Sequence, residues 1–367
     1  VHGAVAAAYG DGQAAGFRDG YAEGRRLGLC ESVIRHIELP PEKRYDLHVL
    51  YVEEGLFALN EGIKDGLSGL VRQLTCCHPR QITAEKIAEM KPDLVIVLNG
   101  IHEFPAEQAA RVRSYGIPTA VWFADDPYFT DVTANIARQY DFVFTHELSC
   151  IPFYRSAGCK RVFHLPLAAA PVTFHPKRTD PKYRSDICFI GTAFWNRVRF
   201  FDKLAPYLIG KRLVMAGGLW NRLKQYDRMA GSIILAGVPL AESVHYYNGA
   251  KIVINLHRST DDGEHNRNSL GLPGLSINPR TFEISACGTL QLTDIRPDLR
   301  DYYTPGYDIE TYESESELIS KIDYYLQHDD QRLTIAARGL RQTLGAHTYH
   351  GRLIRLLDTM LLEGNRV

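Results

Sequence analysis

The stretch "SINPRTFEISACGTLQLTD", Ser276 to Asp294, gathers residue types that suit phosphate and sugar binding. Asn278 reads as an N-cap, Pro279 as the first helical residue and Gly288 as the residue just past the end, so the spacing predicts a helix over about Pro279–Cys287. The start of such a helix offers unpaired N–H groups and the positive end of its dipole, a ready place for a phosphate. Arg280 adds charge in that turn, which also carries Thr281. Glu283 lies about one turn further in, and helical side chains lean back toward the N-terminus. Its carboxylate can therefore accept hydrogen bonds from two vicinal hydroxyls of a ribose whose diphosphate sits at the helix start. The competing reading is an ordinary amphipathic helix with Arg280 and Glu283 solvated or paired.

A second phosphate candidate is "ICFIGTAFWNRVRF", where a strand runs into Gly191 and Thr192 and then a helix carrying Arg197. A backbone turn and an arginine in that order suit a pyrophosphate. Neither GxGxxG nor GxxxxGK[ST] occurs, which removes the best support for dinucleotide-oxidoreductase and P-loop chemistry. Gly217 and Gly218 in "VMAGGLW" read as a turn. On another strand end, "WFADDPYF" presents Asp125 and Asp126, as a general base for a hydroxyl or as sugar-binding groups. Asp126 precedes a proline and equally suits a turn start. His102 and His146 also follow strands and read as packed or hydrogen-bonded side chains rather than catalysts. His257, just after Asn255 at a strand end, is the better histidine candidate. The polar segment His257–Ser276 predicts a mobile loop at a crevice, able to close over a ligand. Its Asp261, Asp262, Glu264 and His265 are spaced too irregularly for a metal cluster and read as a solvated loop.

These residues need strands to carry them. Apolar runs alternate with helix-length amphipathic segments, the pattern of parallel α/β units. The strand candidates are Asp46–Val52, Asp93–Gly100, Pro118–Asp126, Asp141–Glu147 and "RVFHLPLA". After the proline-containing "LPLAAAPVTFHPKRTDPKYRSD" the pattern restarts with Ile187–Thr192, "KRLVMAGG", "KIVINLH" and "TLQLTD". Two doubly wound domains follow, over 1–170 and 171–345, with ligands expected in the crevice at the carboxyl ends of their strands. Near the N-terminus, Gly12, Gly16, Gly20, Gly24 and Gly28 recur every fourth residue on one helix face. Such a face lets another backbone approach closely, either in packing or in self-association.

Composition narrows the partners. The 367 residues are 45% hydrophobic and 23% charged, and 42 Lys+Arg against 43 Asp+Glu leave a net charge of -1, so no basic field recruits nucleic acid or an anionic membrane. Seven cysteines without a CxxC pair read as reduced thiols of a cytoplasmic protein. No apolar run approaches the ~20 residues that span a bilayer, and the start "VHGAVAAAYGDGQ" lacks the features of a secretory leader.

Together, "INLHRS", "NPRTFEISACGTLQLTD", "YDIETYESESELISKIDYYLQHDDQRLTIAARG" and "HTYHGRL" resemble the C-terminal domain of the CgeB-like spore-maturation glycosyltransferases. "VWFADDPYF" and "YDFVFTHELSCIPFYRSAGCKRVFHLPLAA" extend the resemblance over nearly the whole chain. It implies a GT-B fold: two Rossmann-like domains, a nucleotide-sugar donor (UDP-, GDP- or dTDP-linked) held by the second, a glycan or glycoprotein acceptor approached from the first, and no need for a metal. It also implies that the last segment, 346–367, forms a helix returning to the first domain. Glu283 resembles the second glutamate of the E-x7-E motif that grips the donor ribose in many GT-B enzymes. The first is missing, with Leu275 in its place. The expected activity is glycosyl transfer for surface or spore-coat glycan or glycoprotein. A nucleotide-sugar epimerase of the same fold and a non-catalytic sugar-binding coat protein are the alternatives.

Overall fold

The computed structural model describes residues 2–38, 43–55 and 57–364. After α1 (His2–Arg35), a first unit is built from β1 (Tyr45–Val52), α2 (Phe57–Leu70), β2 (Val71–Cys77), α3 (Ala84–Met90), β3 (Leu94–Leu98), α4 (Ala106–Ser114), β4 (Thr119–Phe123), α5 (Thr130–Ala137), β5 (Phe142–Thr145), α6 (Cys150–Ser156) and β6 (Val162–His164). The second contains β7 (Ser185–Ile190), α7 (Trp195–Leu208), β8 (Leu213–Ala216), α8 (Tyr226–Met229), β9 (Ile233–Ile234), α9 (Leu240–Gly249), β10 (Ala250–Asn255), α10 (Pro279–Ala286), β11 (Leu290–Asp294) and β12 (Glu310–Tyr312). The chain ends in α11 (Glu315–Gln327), α12 (Asp329–Ala346) and α13 (Tyr349–Gly364).

The described strands form two parallel sheets of six, ordered β2-β1-β3-β4-β5-β6 and β12-β11-β10-β7-β8-β9. Central strands are apolar because helices cover both faces. In β4, Ala120 and Trp122 join a core with α2 and α13, while Val121 and Phe123 join one with Ile136 and Tyr154. The strands expected from sequence are present. The edge strand β2 was not expected: its Arg72 and Gln73 are exposed, and it follows α2 without a turn residue between. Winding reverses between β1 and β3 and between β7 and β10, the points at which open α/β sheets bind ligands. The second reversal sets Gly191–Thr192, after β7, beside His257, after β10.

Close helix approach occurs in a place the glycine periodicity did not indicate. A Cβ on Gly62 of α2 would lie 2.3 Å from the Tyr349 ring, and one on Gly66 2.6 Å from Leu353, so these glycines seat α13 on the first unit. In α1, by contrast, a Cβ on Gly12, Gly16, Gly20, Gly24 or Gly28 would meet nothing within 4 Å. The contact face of α1 runs through Asp19, Glu23, Arg26, Cys30 and Val33, with Glu23 accepting from Thr179 N–H and Arg184. Arg26 donates to the Cys287 and Lys177 carbonyls and to Asn248 Oδ1 (3.0, 3.1 and 3.1 Å), and Cys30 and Val33 pack on Ala337 and Leu340 of α12. This corrects the placement of α1 within a domain spanning 1–170: its anchoring residues are all met by the second unit. Between the units, Ala169 N–H donates to the His347 carbonyl and Tyr349 N–H to the Ala169 carbonyl (3.0 and 3.1 Å), which pairs the two chain crossings.

Candidate active site

The approach to α10 is held amide by amide. Leu275 and Ser276 N–H donate to the two oxygens of Glu147 (3.0 and 3.2 Å), Ile277 N–H to Asp298 (2.9 Å) and Asn278 N–H to His257 Nε2 (3.0 Å). Asn278 then caps the helix, its Oδ1 accepting from Thr281 N–H at 3.1 Å. Asn255 exchanges hydrogen bonds with the Asn278 amide (3.0 and 3.2 Å) and donates to Thr281 Oγ1 (3.1 Å). Asn255, Asn278 and Thr281 thus fix the start of α10 from beneath. His257 is 2% exposed, with Nδ1 2.6 Å from Asp294 Oδ1. Because its Nε2 accepts from Asn278, the proton resides on Nδ1. Burial lowers the His257 pKa against the pull of Asp294. Burial pushes Asp294 upward, but His257 and Arg296 together hold it below the usual carboxylate range. With both ring nitrogens engaged, His257 positions the helix, which corrects its reading as a catalytic group.

Above this support, the turn after β7 meets the first turn of α10. A Cβ on Gly191 would lie 2.9 Å from Arg197 Nη1 and 3.3 Å from Arg280 Nη1, so glycine lets both guanidinium groups sit close against this turn. The turn is fixed by Trp220 Nε1–H donating to the Gly191 carbonyl (2.9 Å) and by Gly217, whose φ of 146° and close approach to Gly191 exclude a side chain. Arg197 is 1% exposed and donates to the carbonyls of Thr192 (2.9 Å) and Leu256 (3.1 and 2.8 Å). Burial and then Arg280 push it down to about 9. Arg197 therefore braces the turn, and Arg280 is the arginine with a free donor: its Nη1 is buried without a partner. Glu283 is buried too, and no described residue hydrogen-bonds to its carboxylate. Burial pushes it up to about 7, against the attraction of Arg280.

Across the crevice, the two aspartates separate. Asp126 is 1% exposed, accepts from Thr145 Oγ1–H (2.6 Å) and Tyr154 Oη–H (2.8 and 3.0 Å), and is pushed up to about 7 by burial. Those bonds tie β4, β5 and α6 together, so its candidacy as a catalytic group is corrected to a structural role. Asp125 is half-buried, accepts from Asn99 Nδ2–H at 2.7 Å and keeps its other oxygen free of side-chain bonds. His102 is exposed, with its ring packed edge-on against Phe129.

The segment after His257 differs from the mobile, solvated loop expected. It docks on the first unit: Arg267 N–H donates to the Tyr128 carbonyl, Asp131 N–H to the Arg267 carbonyl, and Ser269 to Asp131 (2.7, 2.9 and 2.7 Å). Arg258 lies between the Phe194 and Tyr128 rings, 4.1 and 4.4 Å from their centroids, joining the units by cation–π contacts. Asp262 is buried and accepts from Trp195 N–H at 3.2 Å at the start of α7. Among the described residues no group of three or more His, Cys, Asp or Glu side chains is arranged to hold a metal. Sequence reasoning missed Glu147, whose bonds to Leu275 and Ser276 cross between units; its one signal was a carboxylate directly after a strand end.

Two doubly wound parallel sheets facing across a crevice, with the last helix returning to the first, make a GT-B fold. Residues 197–358 match a family model described as glycosyl transferase-like, which places the chain in the glycosyltransferase class. Spore protein CgeB of Bacillus subtilis (strain 168) is 28% identical over 272 residues, covering 74% of this chain and 84% of that protein, and bears out the resemblance to CgeB-like proteins. Among solved structures, Anabaena HepE in complex with UDP-glucose superposes with a TM-score of 0.58 at 10% identity, covering 86% of this chain and 99% of HepE. Sucrose-phosphate synthase from Thermosynechococcus elongatus gives a TM-score of 0.56 at 11% identity, covering 87% of this chain and 99% of that one. Among the described residues no helix is long and apolar enough to cross a membrane.

Proposed function

We propose that the protein transfers a sugar from a nucleotide-sugar donor to a hydroxyl-bearing acceptor, in the cytoplasm, for a surface or spore-coat glycan or glycoprotein. The observation that carries this reading is that Arg280 Nη1 is buried without a hydrogen-bond partner one turn from Glu283, a buried residue whose carboxylate accepts no hydrogen bond from a described residue and is attracted only by Arg280. Unpaired buried charges are costly, and a ligand bearing a diphosphate next to two vicinal hydroxyls would complete both. The diphosphate lies against Arg280 and the positive end of α10 beside Gly191, and the ribose hydroxyls donate to Glu283. As the glycosidic bond to the diphosphate breaks, charge grows on the leaving oxygens, where a preformed cation and helix end stabilise it without a metal. Asp125, on the facing wall, takes the proton of the acceptor hydroxyl. The identity with spore protein CgeB supports the spore-coat context.

Thermal-shift and calorimetric titration with UDP, GDP, dTDP and their hexose conjugates tests the donor site, because selective binding to the native state raises the melting temperature. Selective binding of one nucleoside diphosphate is the expected result, and no binding by any of them refutes the reading. Incubation with the bound nucleotide sugar alone separates the classes: formation of an isomeric nucleotide sugar without acceptor would identify an epimerase instead.

A further inference from the structure

Four described histidines are buried: His48, His146, His257 and His347. Three have ring partners, namely Thr75 for His48, Asp294 and Asn278 for His257, and the Tyr302 carbonyl for His347. His146 has none on either nitrogen, although it is only 6% exposed. A fold that leaves a buried donor and acceptor unpaired loses stability at each, so the ring has a bond to make that the protein does not supply. Its position says with what. His146 follows β5 directly and precedes Glu147, which holds the approach to α10. The groups acting on the ring come from both walls: Asp125 and the Asp126 main chain on one side, the latter without good hydrogen-bond geometry, and His257 on the other.

The protonation state narrows the ligand. Burial pushes His146 down to about 4, outweighing the pull of Asp125, so at neutral pH the ring is uncharged and carries one N–H and one lone pair. A phosphate offers only acceptors and is better met by a cation. A base this weak takes up protons poorly at neutral pH. A hydroxyl can accept from the ring N–H or donate to the ring lone pair, so it suits either nitrogen of a neutral imidazole.

We propose that His146 recognises a hydroxyl of the glycosyl group carried by the nucleotide donor, and so helps to set which sugar is accepted. This rests on the donor site at α10. The donor sugar is favoured over the acceptor because the residues flanking the ring, Glu147 and His257, are those that hold the α10 start.

The experiment compares calorimetric affinities for the nucleoside diphosphate that binds best among UDP, GDP and dTDP and for its glucose, galactose, mannose and N-acetylglucosamine conjugates, in wild type, His146→Phe and His146→Gln. The ratio of the two affinities isolates the sugar. His146→Phe should leave diphosphate affinity within about twofold and weaken the preferred conjugate about tenfold, the effect of one buried hydrogen bond lost with its partner left unpaired. His146→Gln, which retains a donor and an acceptor, should recover part of the loss. If His146→Phe does not fold, His146→Ala gives the same ratio. An unchanged ratio overturns the assignment. An equal loss for diphosphate and conjugate overturns it as well, because it marks a packing role. Failure of wild type to bind any diphosphate is a different result, which refutes the donor site itself.

Discussion

Replacing Glu283 with glutamine separates what its carboxylate costs the fold from what it contributes to the site. Burial pushes this group up to about 7, with Arg280 opposing and no hydrogen bond from a described residue to compensate. An acid that binds protons more tightly when folded stabilises the native state below its unfolded pKa, near 4.5, and loses that contribution as pH rises through 7. The displacement corresponds to about 3 kcal/mol withdrawn from the native state above pH 7. Glu283→Gln keeps the shape and removes the titration, so the variant should match wild type near pH 4 and exceed it by about 1–3 kcal/mol at pH 8. Urea unfolding of both proteins at the two pH values reads this difference directly. Because only the difference between the proteins is used, the other buried acids pushed up to about 7, Asp126 and Asp298, cancel. The same variant should bind the nucleoside diphosphate more weakly by about 1–3 kcal/mol, the range for a hydrogen bond to a charged group. A stability gap that does not change with pH, or unaltered diphosphate affinity in the folded variant, would refute the picture of an uncompensated carboxylate awaiting a ribose.

Asp125→Asn should lower turnover by roughly 10²–10⁴ while diphosphate affinity is retained, and full activity would remove Asp125 from the reaction. Asp126→Asn is the control, since its bonds to Thr145 and Tyr154 predict a loss in melting temperature instead. Donor binding and transfer should survive EDTA; loss on chelation with rescue by Mg²⁺ or Mn²⁺ would show that a metal supplies the charge assigned to Arg280. Gly62→Ala should destabilise by about 1–3 kcal/mol through overpacking against Tyr349. Gly20→Ala, with open space around it, should stabilise α1 by up to about 1 kcal/mol, and denaturant titration of the pair would show which glycine face is in contact.

The sequence made α10 readable because its signals are local: Asn278 and Pro279 start it, Gly288 follows it, and Arg280 and Glu283 share its first turns. The doubly wound sheets were readable for a similar reason, since strands covered on both faces are almost wholly apolar. Roles fixed by distant partners were not readable. His257 resembles a catalyst until Asp294 and Asn278, 37 and 21 residues away, are seen to occupy both ring nitrogens. Asp126 resembles half of an acidic pair until Thr145 and Tyr154, 19 and 28 residues on, close around it. Glu147 carried little signal because its partners lie 128 and 129 residues downstream. The glycine period in α1 identified one helix face but not whether anything covers it; the apolar pair Cys30 and Val33 was the better guide to its contact side.

The pairing of the two crossings at Ala169 and Thr348 bears on how the crevice can open. Two unpaired tethers would let the units slide, twist and separate independently. Laced side by side by the Ala169–His347 and Tyr349–Ala169 hydrogen bonds, they resist sliding past one another, and the motion that would leave both bonds intact is a swing about the pair. Opening along that arc must part the bonds from Glu147 to Leu275 and Ser276 and those between Asp131 and Ser269. The bonds that must part are the same ones that set the register of Glu147 against the approach to α10 and of Asp131 against Ser269 each time the crevice shuts.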